Sequence, residues 1–138
     1  MPRRTQRRIW QAAAVASVLS GVPSTTWTVF RSSPGEALSS GVEATRAIGS
    51  LVPPGRPGLW RGGVVHGVIS LVVGEALGAT LPSRRSVAWG TLAGLVIGWV
   101  NLSVLARRFS PRLAALPLGP QLADNAAFGA VFAAVADR

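Results

Sequence analysis

Few side chains in this sequence can do chemistry. Its 138 residues hold one histidine, five carboxylates and no cysteine, beside 14 basic residues that are all arginine. Without cysteine there are no disulfides, thiolate ligands or thiol nucleophiles. A single histidine rules out a multi-histidine metal site within one chain. Five residues stand out because they sit in long apolar stretches: His66, Glu75, Asn101, Asp124 and Asn125. Polar and ionisable groups in such surroundings are functional candidates by default.

If the apolar stretches cross a membrane in alternation, Ser24, Thr25, Thr28, His66, Ser70, Asn101, Asp124 and Asn125 all fall toward one end. They would then form a small polar pocket open to the outside, with His66 as its titratable group. Each also has a plainer reading. A lone histidine is more often a hydrogen-bonding partner than a proton carrier. Asn101 lies close to a glycine stripe on its own helix, so an interhelical hydrogen bond is expected. Asp124 falls in the first turns of its helix, where a carboxylate suits the positive end of the dipole. It also points with Phe128, Val131 and Val135, away from the alanine stripe. Glu75 has no cation near it in sequence and lies on the opposite side of its helix from His66, so the two form no dyad. It is expected either to be protonated by desolvation or to meet Arg84 or Arg85 reaching back from the next turn, or, facing lipid, a group of another subunit. Glu75 is the residue most worth mutating.

Nothing assembles into an active site. The chain has no glycine-rich phosphate loop, no HExxH, no GxSxG and no carboxylate pair at helical spacing. The expectation is no enzyme activity, no cofactor and no metal.

The elements that position these residues follow from composition. Hydrophobic residues make up 49% of the chain and charged residues 14%, against roughly 25% charged in soluble domains. A spanning helix needs about 20 mainly apolar residues. Residues 9–30, 62–81 and 86–106 meet that length, and 120–136 is a shorter fourth candidate. The fold class predicted is all-α, a membrane bundle of four transmembrane helices forming one domain. Pro82-Ser83-Arg84-Arg85 predicts an antiparallel hairpin between the second and third spans. The basic start of the first segment resembles a signal peptide, but its apolar core is long and no small-residue cleavage site follows.

Residues 34–52 read as an amphipathic interfacial helix. Ser33-Pro34-Gly35-Glu36 is a capping box, Glu43 and Arg46 pair at i,i+3, and Pro53-Pro54-Gly55 ends it. As a fifth span it would carry Glu43 and Arg46 to the bilayer centre, which is costly.

The net charge of +9 falls in arginine pairs between the apolar stretches. That pattern fits anionic headgroups better than nucleic acid. Four spans leave seven arginines on each side (3, 4, 7, 8, 84, 85 and 138 against 31, 46, 56, 61, 107, 108 and 112). The first helix breaks the tie, with four arginines before it, and places both termini in the cytoplasm. Trp10, Trp27, Trp60 and Trp89 fall near the expected boundaries, and Trp99 lies deeper.

Each span carries small residues at four-residue spacing. The strongest stripes are Gly63, Gly67, Ser70, Gly74 and Gly78 on the second span and Gly90, Gly94 and Gly98 on the third. Small residues let helix backbones approach in lipid, where the hydrophobic effect does not drive association. Packing within the chain is the plain reading. The functional reading is that the third-span stripe mates with a second copy or a larger membrane complex.

The stretches SGVPSTTW (20–27), VEATRAIGS (42–50) and LPLGPQLADNAAFGAVF (116–132) resemble those of small uncharacterised multi-pass membrane proteins of GC-rich bacteria. The resemblance spans most of the chain. It implies the four-span layout and a plasma-membrane location, and no activity. Together these readings predict a structural or accessory membrane component associating through glycine-rich helix faces. The alternative is a small proton-coupled or solute carrier acting as an oligomer.

Overall fold

A computed structural model describes residues 4–52 and 56–138, and every regular element among them is helical. Seven helices follow one another: α1 (Gln6–Leu19), α2 (Val22–Arg31), α3 (Pro34–Ile48), α4 (Leu59–Thr80), α5 (Ser86–Phe109), α6 (Pro111–Ala114) and α7 (Leu118–Ala136). Two of them, α4 and α5, are long and apolar enough to cross a membrane.

The first predicted span is broken in two, and Pro23 is the reason. Its ring has no N–H and collides with the carbonyl four residues back, which belongs to Leu19, where α1 stops. Gly21 caps the restart and Pro23 sits in the first turn of α2, a position where a missing N–H costs nothing. The fourth segment starts earlier than expected. Pro117 is its N-cap, so Gly119 and Pro120 lie in its first turn, among backbone donors with no intrahelical partner.

The capping signature on α3 forms as read. Ser33 Oγ accepts from Glu36 N at 3.2 Å, and the Glu43–Arg46 pair closes at 2.8 Å on the exposed face. α3 ends in a 3₁₀ turn, Gly49–Leu51. The predicted Pro53-Pro54-Gly55 stop lies outside the described residues, as does Arg3 of the charge count.

α4 and α5 are joined by a short turn yet do not pack along each other. α5 packs on α7, α7 on α1, and α1 on α4, so the order across the bundle is α4–α1–α7–α5. The predicted hairpin is therefore not a packed pair. The glycine face of α5 fits α7: a Cβ on Gly90 would collide with the Gly129 backbone, one on Gly94 with the Asn125 backbone, and one on Gly98 with the Asn125 side chain. α1 and α7 carry the core, with Ala12, Ala13, Ala16, Phe132 and Ala133 fully enclosed. Leu77 of α4 and Phe128 of α7 complete the cluster. α3 rests on α2, α4 and α6 at the end where α7 begins. Inside α5, Asn101–Ala106 is wound as a π-helix.

Candidate functional site

The polar residues singled out above are not gathered into one pocket. His66, Asp124 and Glu75 are each spent on a separate join between helices. His66 stands on α4 with Nε2 3.3 Å from the Ser17 carbonyl oxygen. A carbonyl only accepts, so Nε2 is the donor. Ser17 lies in the last turn of α1, where carbonyls lack intrahelical donors. The Pro23 break thus creates an acceptor, and His66 with the Ser20 hydroxyl (3.2 Å) satisfies it.

Asp124 serves the other side of that break. Its Oδ1 accepts from Ser24 N at 2.8 Å, and Ser24 is in the first turn of α2, whose own N-cap Gly21 offers no side chain. The carboxylate therefore caps α2, not its own helix α7 as the sequence suggested. The dipole argument was sound but applied to the wrong helix. Asn125 Nδ2 donates to Gln121 O at 2.8 Å in its own helix and packs on Gly98. Asn101 opens the π-helical segment. No side-chain hydrogen bond reaches it among the described residues, so the expected interhelical bond is not formed.

Glu75 has different partners from those expected. Oε1 accepts from Trp10 Nε1 at 2.6 Å and from Gln6 Nε2, both on α1. Neither Arg84 nor Arg85 reaches it. Arg85 instead supplies the turn with its left-handed backbone, at φ 57°.

The second-span stripe divides. Gly74 and Gly78 are packing positions, where a Cβ would lie 2.7 Å from Ala13 Cβ and 2.7 Å from Ile9 Cδ1. Ser70 is buried. At Gly63 and Gly67 a Cβ meets nothing within 4 Å, so these two do not pack as expected. Their place is taken by Gly62, one residue off the stripe, where a Cβ would collide with the Thr45 carbonyl of α3. Between α1 and α4, beside Gly67, runs a half-open slot of about 330 Å³ lined by Ala13, Ala14, Ser17, Val18, Gly67, Ser70 and Leu71. It is apolar.

Two joins were not foreseen. Arg4 Nη1 donates to the Gly78 and Leu81 carbonyls at 3.3 and 3.0 Å, capping the C-terminal end of α4, and Nε bonds Asp137 at 2.6 Å. The guanidinium holds the Asp137 carboxyl below its usual range, against the opposing effect of burial, and the Ser86 hydroxyl adds to the lowering. At the other end the Ser50 and Ser110 hydroxyls lie 2.7 Å apart, each within reach of the Ala47 carbonyl, so one proton joins the two hydroxyls and the other goes to the carbonyl. Ser110 precedes Pro111 and caps α6, the same Ser-Pro signal read at Ser33. The Arg4 contacts carry no local signal, because they span the length of the chain. Among the described residues no group of three or more His, Cys, Asp or Glu side chains converges as metal ligands would.

Fold and joins define an all-helical bundle with two helices able to cross a membrane and polar groups used as interhelical ties. No protein-family profile, curated protein or solved structure matches the chain.

Proposed function

We propose that the chain is a four-span membrane protein with a structural or accessory role, both termini lying on the cytoplasmic side of a plasma membrane. One observation carries this reading: the two helices long and apolar enough to span are mostly uncovered. Only 22% of the spanning window of α4, and 22% of that of α5, is covered. Val64, Val68, Val72, Leu92, Val96 and Trp99 are exposed on them. Water-soluble monomers rarely expose apolar patches beyond a few hundred Å². Facing lipid tails, the same surface needs no explanation.

α7 and the α1–α2 pair supply the remaining spans. They run beside α4 and α5 in alternating directions, and their shielded faces tolerate the polar ties. Exposed Trp10 and Trp89 stand at one end and Trp27 and Trp60 at the other, as two interfacial belts would. α3, with Glu43 and Arg46 outward, covers the outer end as an interfacial helix. The α5 glycines are spent on α7, so a second copy or a larger complex meets the chain on the outward faces of α4 and α5.

Single cysteines at Ser32, Ser83, Ala115 and Arg138 test the layout on this cysteine-free background. An impermeant maleimide should label positions 32 and 115 from outside, and 83 and 138 only after lysis. Labelling of 138 from the same side as 32 would remove α7 from the spans and overturn the four-span reading. Ser50 and Ser110, at 8% and 0% exposure, are poor reporters.

A second reading, a small carrier acting as an oligomer, is favoured by Glu75, a carboxylate within α4 held by α1. Solute or proton flux in liposomes, lost with Glu75→Gln but not with Glu43→Gln, would support it.

A further inference from the structure

Glu75 and the slot above it are spent on no join that needs them both. The slot lies in the face between α1 and α4, and its lining ends at Ala14 and Leu71. One helical turn further on each helix, beyond the lining, stand Trp10 and Glu75, bonded to each other at 2.6 Å, so a ligand longer than the slot meets a carboxylate at that end. Both hydrogen bonds that Glu75 receives end on Oε1. Oε2 is left to accept another donor, and a carboxylate has capacity for several.

We propose that this slot binds a lipophilic amine. Its apolar tail lies against Ala14, Val18, Gly67 and Leu71, and its ammonium donates to Glu75 Oε2 beside Trp10. The volume of about 330 Å³ is at the lower end of ligand pockets, roughly 300–1,000 Å³, and suits a single tail. The sign of the charge excludes an anionic amphiphile at this end of the slot.

A helix from a second copy is the competing occupant. It would have to bring its own cation to Glu75, and segments 9–30, 62–81, 86–106 and 120–136 contain no Lys or Arg. A small amine brings charge and tail together. The binding goes beyond the accessory role and needs no transport.

Native mass spectrometry of the full chain in a non-ionic detergent tests it, with dodecylamine as probe and dodecanol as the neutral control of equal tail. The chain should hold dodecylamine about tenfold more tightly than dodecanol, the scale of one charge-assisted hydrogen bond. Glu75→Gln should erase that preference, Ala14→Phe should fill the slot and remove binding, and Glu43→Gln should change neither. Equal retention of the two probes, or a preference that survives Glu75→Gln, overturns the proposal. So does binding that survives Ala14→Phe, or a ladder of adducts common to every variant. A wild-type dimer that takes no probe and dissociates with Ala14→Phe would assign the slot to a second copy instead. If Ala14→Phe does not fold, Gly67→Leu, at a position with open space, fills the slot in its place.

Discussion

At the scale of single residues, the charged and polar side chains act as clamps between helix ends. Arg4 is the clearest, with its side chain 10% exposed and that of its partner Asp137 26%. Because the Arg4 guanidinium holds Asp137 below the usual carboxylate range, the clamp contributes fully above that range. It is lost as pH falls through the lower, folded-state value. Thermal unfolding in detergent should therefore show Asp137→Asn less stable than wild type near neutrality, with the two curves converging in strong acid. A gap that persists unchanged into strong acid would mean that Asp137 acts by shape alone. Asp124 makes a second, separable prediction. As the cap of α2, its replacement by Ala should cost about 1 kcal/mol. Asn, which keeps an acceptor oxygen, should cost distinctly less. Equal losses from both would show that charge, not the hydrogen bond to Ser24, is what matters.

At the scale of helices, much was legible because the signals are local. Lengths of apolar run gave α4 and α5 to within three residues at each end, and Ser33-Pro34 with Glu36 gave the start of α3. Pro23 was equally local and should have divided the first segment, since a proline forces that break wherever the preceding turn is helical. What a stripe cannot reveal is its partner. Gly63 and Gly67 share their spacing with Gly74 and Gly78, and only the tertiary path of α1 decides that the latter pair is covered. The same limit hid the partners of Glu75, which lie on α1 and not on the adjoining turn. The glycines turn this into a test with opposite signs. Gly67→Ala meets no atom and removes backbone freedom from the unfolded chain, so it should stabilise by roughly 0.4–1 kcal/mol. Gly90→Ala would drive a Cβ into the Gly129 backbone and should destabilise by about 1–3 kcal/mol. Unfolding temperatures of the two variants moving in the same direction would refute the open and packed roles given to these two glycines.

At the scale of the whole molecule, the order α4–α1–α7–α5 puts the polar ties inside and the apolar helices outside. A soluble bundle does the reverse, because water selects for buried apolar surface. Two consequences follow. Gly94 faces Asn125 and Ala126 of the same chain, so Gly94→Leu should lower the yield of folded protein without changing the crosslinked dimer fraction of what does fold. A selective loss of dimer would instead give the α5 stripe to a partner chain. The second consequence concerns the solvent. The backbone amides of α4 and α5 are bonded within their own helices, and their outward side chains offer water nothing to bond. Removing detergent should thus precipitate the protein while its helical content persists, because the helices do not depend on what surrounds them. A chain that stayed monodisperse and folded in plain buffer would require those exposed valines, leucines and tryptophans to be covered by a rearranged bundle. The membrane reading would then fall, and the orientation of every tie described above would have to be drawn again.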